Sequence, residues 1–169
     1  KADVILGMML EARKIPDSTR IMEHLSHPKV RRVFEISRKV SNEAHYYRAK
    51  ALRAEGQNKE AAGDLAVLAK DTRNVYGAEA KYLLAQLYFD NGETGKAEKE
   101  VLDYIEVSTP HAYWLARSFV LLSDVYMKLG RNLDAKQYLL SLQQNYQADD
   151  DIAEMIETRL AKLNKGSKQ

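Results

Sequence analysis

Residues 78–110 read AEAKYLLAQLYFDNGETGKAEKEVLDYIEVSTP, and this stretch decides the fold. Leu83, Leu84, Leu87 and Tyr88 recur at helical spacing, as do Ala97, Val101, Tyr104 and Ile105. Between the two sets stands the breaker cluster Asn91-Gly92-Glu93-Thr94-Gly95. So short a connection lays two helices antiparallel. The positions that carry the pattern are Ala85, Tyr88, Gly92 and Ala97, with gaps of three, four and five residues.

The same comb occurs at Ala49, Leu52, Gly56 and Ala61, and again at Ser123, Tyr126, Gly130 and Ala135. The copies start thirty-six and thirty-eight residues apart. A small residue in the first helix and Ala in the second let two backbones approach closely. The Gly ends the first helix in a left-handed conformation that is cheap only for Gly. Self-similarity at this period predicts a stacked array of helix pairs.

The comb resembles the tetratricopeptide repeat. With copy two begun at Ala78, Leu84, Ala85, Tyr88, Gly92 and Ala97 fall on the signature positions. Lys81 stands where that family carries an aromatic, and Phe119 fills the place in copy three. Copy one has His45 and Arg48 where the family is apolar, and Pro110 comes one residue late. The resemblance covers about two thirds of the chain. It implies an all-α, right-handed α-α superhelix closed by a C-terminal capping helix. The stretched period and the Ser-Thr-Pro-His-Ala-Tyr-Trp-Leu junction are similar to the repeats of bacterial envelope proteins. That likeness favours the periplasm slightly over the cytoplasm.

The rest of the chain is divided accordingly. Residues 1–27 are expected to form a degenerate repeat, with helices Ala2–Arg13 and Asp17–Ser26 separated by Pro16. A short helix over 29–40, a break at Ser41-Asn42 and a repeat over 42–74 follow. Further repeats cover 78–109 and 110–147, with Pro110 in the first turn of a lengthened helix capped by Thr109 or Ser108. A capping helix over 150–164 presents Ile152, Met155, Ile156, Leu160 and Leu163. Asp151 and Glu154 have capping-box spacing at its start. Residues 165–169 read as a frayed tail.

Composition narrows the function. The 169 residues are 45% hydrophobic and 30% charged, as in an ordinary helical protein, and the net charge of +2 is too balanced to imply nucleic acid. No apolar run is long enough to insert across a membrane. The absence of cysteine excludes disulfides and thiolate chemistry. The chain begins at Lys1, which reads as a fragment or a processed chain.

No phosphate loop, nucleophile elbow or zinc spacing occurs, so no enzyme and no cofactor are expected. His24 and His27 could ligate a metal, but a helix C-terminus favours histidine without one. Asp149 to Asp151 could hold calcium, and a helix cap accounts for them more simply. Lys29, Arg31, Arg32, Arg38 and Lys39 could meet an anionic surface, or form a solvated helix face.

The resemblance also implies a concave face lined by set positions of each first helix. Carried over residue by residue, these include Tyr46, Lys50, Arg53, Tyr82, Gln86, Phe89, Asp124 and Met127. Several are apolar without belonging to the comb, which predicts a groove for a peptide or helix of another protein. Lys50 and Arg53 would favour an acidic segment. The family's Lys/Asn clamp for a terminal carboxylate is missing. The alternative is structural: the array is the end of a longer helical solenoid and packs against the rest of its chain or an oligomer partner.

Overall fold

The structure, a computed structural model, describes residues 27–107 and 109–166. The expected repeat over 1–26 and the tail after Gly166 lie outside the described residues. Among the described residues there are seven helices and no strand: α1 (Pro28–Ala54), α2 (Asn58–Leu68), α3 (Val75–Asp90), α4 (Thr94–Glu106), α5 (Ala112–Lys128), α6 (Asn132–Asn145) and α7 (Ile152–Gly166). The chain divides into two compact units, 1–44 and 45–169. In the first, the described residues form the N-terminal part of α1. The second holds the remainder of α1 and the other six helices.

The comb forms three identical turns. Gly56, Gly92 and Gly130 have φ of 75°, 78° and 74°, the only positive values among the described residues. At each, the Gly amide donates three residues back, to Arg53, Phe89 and Met127. The next amide donates five back, to Leu52, Tyr88 and Tyr126, at 2.8 Å each time. This is the Schellman closure, which satisfies the last carbonyls of the helix. Gln57, Glu93 and Arg131 follow with nearly equal backbone angles, and each carbonyl accepts from the comb alanine four residues on. Ala49, Ala61, Ala85, Ala97, Ser123 and Ala135 are all buried where the paired helices cross. A larger side chain at any of them would push the backbones apart.

The pairs pack in order. Helix α4 lies against α5, and α3 touches both α5 and its own partner α4. Helix α7 rests on α5 and α6 and buries Ile152, Ile156 and Leu163, so it takes the place that a further first helix would hold. Met155 and Leu160 are half-buried beside them.

Four local expectations are corrected. Helix α1 runs through Ser41-Asn42 without a break. No Pro or Gly stands between Pro28 and Gly56, and Ser and Asn cost a helix interior well under about 1 kcal/mol each. Helix α5 begins at Ala112, after Pro110 rather than on it. The Thr109 hydroxyl donates to the Thr72 carbonyl at 2.7 Å, which holds this junction on the α2–α3 loop. The longer period is taken up largely in the second helices: α4 has 13 residues against 11 in α2, while α3 and α5 have 16 and 17. Finally, Asp150 caps α7 by accepting from the Ile152 amide at 3.0 Å, and Lys165 and Gly166 remain helical.

One glycine has a role the pattern does not reveal. A Cβ on Gly77 would stand 2.0 Å from the Asp71 carbonyl oxygen and 2.6 Å from that of Leu68. The first turn of α3 therefore lies directly against the backbone that leads into it. Asn74 caps the same turn, its side chain accepting from the Tyr76 amide at 2.9 Å.

Candidate partner-binding face

Each pair is joined across its crossing by two residues nineteen apart. The His45 imidazole donates to Asp64 at 2.8 Å, Lys81 pairs with Glu100 at 2.7 Å, and the rings of Phe119 and Tyr138 lie 6.0 Å apart. The departures of His45 and Lys81 from an apolar pattern are thus answered in the second helix. Asp64 is 3% exposed and also accepts from Arg48 at 2.6 and 2.5 Å. Those guanidinium bonds hold its carboxyl below the usual range; burial opposes them, and His45 adds to them.

Successive first helices are joined by a second recurring device. The Tyr46 hydroxyl donates to Glu79 at 2.9 Å, and its ring meets that of Tyr76 at 4.8 Å. One repeat on, the Tyr82 hydroxyl accepts from Arg117 at 3.2 Å, and its ring stacks on Trp114 at 5.7 Å. Tyr76 and Trp114 stand thirty-eight residues apart, three before Glu79 and Arg117, so the two arrangements are equivalent. A cation also lies over each tyrosine ring, Lys50 at 5.1 Å and Arg117 at 5.0 Å. Between α5 and α7, Asp124 accepts from Arg159 at 2.8 and 2.6 Å in a bidentate pair.

These contacts sort the expected groove residues. Tyr82 is 8% exposed and committed to α5, so it is not the open aromatic that the position pattern suggested. Tyr46 is half-buried against α3, and burial, the largest influence, pushes its phenol upward. Asp124 is held by Arg159. Gln86 accepts from the Tyr82 hydroxyl at 3.2 Å and donates to Asp90 at 2.8 Å. Lys50 is exposed, Arg53, Phe89 and Met127 are half-buried, and the exposed Lys128 lies 4.9 Å from the Phe89 ring centre. Sequence reasoning missed Tyr76 and Trp114 as stacking partners. Their signal was an aromatic three residues before each of Glu79 and Arg117.

Glu79, Asp90 and Asp124 are all hydrogen-bonded, and Asp124 is paired with a cation. Glu79 serves Tyr46, Asp90 serves Gln86, and Asp124 serves Arg159. Lys50, Arg53 and Lys128 have no carboxylate within ion-pair distance among the described residues. What the face leaves open is cationic and partly apolar. A cavity of about 120 Å³ opens beside Tyr82, Gln86, Arg117, Val120, Asp124 and Arg159, and its charged groups are engaged with one another or with neighbouring side chains.

Among the described residues no three His, Asp or Glu side chains gather as a metal site, and no helix is long and apolar enough to cross a membrane. His27 is exposed and its Nδ1 accepts from the Lys29 amide at 3.3 Å, while His24 lies outside the described residues. The class that fold and face define is an all-helical protein of packed, turn-matched helix pairs. No family model, curated protein or solved structure matches the chain.

Proposed function

We propose that the chain is a tetratricopeptide-like right-handed superhelix that acts as a non-enzymatic scaffold and holds a peptide or helix of another protein. The partner lies across the face shared by the C-terminal half of α1, α3 and α5. The observation that carries this reading is the charge left over there. Lys50, Arg53 and Lys128 make no ion pair among the described residues, and Asp124 is paired with Arg159. The three cations outnumber the carboxylates of Glu79 and Asp90, which accept from the neutral Tyr46 hydroxyl and Gln86 amide and keep their charge. Phe89 and Met127 supply apolar area between the cations. An acidic segment with apolar side chains answers both properties. Tyr46, Tyr82 and Asp124 act by keeping the helices of the face in register, and Gln86 links Tyr82 to Asp90 along α3.

A peptide-display selection on the intact chain tests the reading. Selected peptides should be rich in Asp and Glu beside apolar residues. Their capture should fall about tenfold with Lys50→Glu and Lys128→Glu combined. Selection of basic peptides, or unchanged capture by the variant, would refute it.

The structural alternative also has an observation in its favour. Leu133 and Leu140 of α6 remain exposed seven residues apart, on one side of the helix. If that side is an interface with further helices or a second copy, sedimentation should show self-association that Leu133→Ser abolishes.

A further inference from the structure

The N-terminal part of helix α1, residues 28–44, carries five basic residues and two acidic ones, a net +3 over 17 residues, while the remainder of the chain carries −1. In its N-terminal part, residues 36–41 are exposed on every side of the helix. Ile36 and Val40 stand 57% and 59% exposed, one turn apart. Lys29, Arg32 and Lys39 are placed at helical spacing on the same side as these two, and Arg38 on the opposite side. All but Val33 of the described side chains from Lys29 to Lys39 are exposed, and Lys29, Arg32, Arg38 and Lys39 form no ion pair among the described residues.

We infer that the N-terminal part of α1 is a peripheral docking helix for an anionic lipid surface. A stretch of helix whose residues 36–41 are exposed on every side offers no groove there to grip a peptide. A fluid sheet of negative headgroups, by contrast, meets the three cations on that side of the helix and accepts the two aliphatic side chains among them at its boundary. Such a helix lies on the membrane and does not span it.

The test is co-sedimentation of the intact chain with phosphatidylcholine vesicles, with and without phosphatidylserine. The chain should bind the phosphatidylserine vesicles alone, and added salt should release it. Arg32→Gln with Lys39→Gln should weaken binding about tenfold. Ile36→Ser with Val40→Ser should weaken it several-fold while leaving the salt dependence unchanged. These positions are exposed, and far-UV circular dichroism checks that each variant keeps its helices. Equal binding to both kinds of vesicle, binding to neither, or unchanged binding by the Arg32 and Lys39 variant would overturn the inference. So would soluble polyglutamate binding the chain as tightly as the vesicles do and losing that binding with Arg32→Gln and Lys39→Gln, which would assign the helix to an acidic protein.

Discussion

Lys81 and Glu100 meet at 2.7 Å across the crossing of α3 and α4, at the positions that Phe119 and Tyr138 occupy across α5 and α6. An ion pair and an aromatic pair thus perform one task in two copies of a repeat. Lys81 is 12% exposed and Glu100 19%, so neither charge is fully solvated. Glu100→Tyr alone strands the Lys81 ammonium and should destabilise the protein by about 1–3 kcal/mol. The double change Lys81→Phe with Glu100→Tyr should recover that loss or exceed wild type. A double-mutant cycle in urea reads the coupling, and additive single changes would show that the two positions are independent.

Asp64 makes the first pair pH-dependent. Its folded carboxyl lies below the unfolded value of about 3.9, so the stability it contributes is present above that pH and is lost as pH falls through the folded value. The gap between wild type and Asp64→Asn should therefore be widest near neutrality and shrink in acid. Arg48→Met should cost more than Asp64→Asn, about 3 kcal/mol, because it leaves a buried carboxylate with His45 alone. Thermal melts across the acid range decide both points.

Two glycines should fail for different reasons. A side chain at Gly92 would meet open space, so the cost of Gly92→Val comes from the positive φ, with some added strain from β-branching, at least about 1–2 kcal/mol. Gly77→Ala would set a carbon against two carbonyl oxygens and should cost more than Gly92→Ala. Ala97→Leu and Ala135→Leu should each cost about 1–3 kcal/mol by overpacking the crossings. Calorimetric midpoints order these variants.

Much of this architecture was legible in the residues. The comb announced the three turns, since its glycines occupy a backbone conformation that other residues resist. The uninterrupted α1 was not legible, because Ser41 and Asn42 stop a helix only where the chain has a reason to turn. The fate of Tyr82 was hidden for another reason. Helical periodicity tells which side of α3 it occupies, but its burial depends on Trp114 and Arg117, which arrive from the next pair. The nineteen-residue partners were within reach of the sequence, had His45 and Lys81 been matched to Asp64 and Glu100 rather than counted as departures.

Tyr82→Ala should consequently act on stability before it acts on binding. Losing the Trp114 stack and the Arg117 bond should cost about 3 kcal/mol and shift the emission of the single tryptophan. Lys50→Glu should cost much less than that, since Lys50 is exposed and gives up only its contacts with Tyr46. If the two variants melt alike, the division between register-keeping and partner-facing residues is wrong.

The most direct test of the binding face is methyl NMR of the intact chain, which has five methionines to label. Met127 lies half-buried on the face and Met155 beside the neighbouring cavity. On titration with a synthetic peptide rich in glutamate and leucine, the Met127 methyl should shift saturably, and Lys50→Glu with Lys128→Glu should raise the half-saturating concentration about tenfold. Saturable binding that leaves Met127 unmoved would contradict the account.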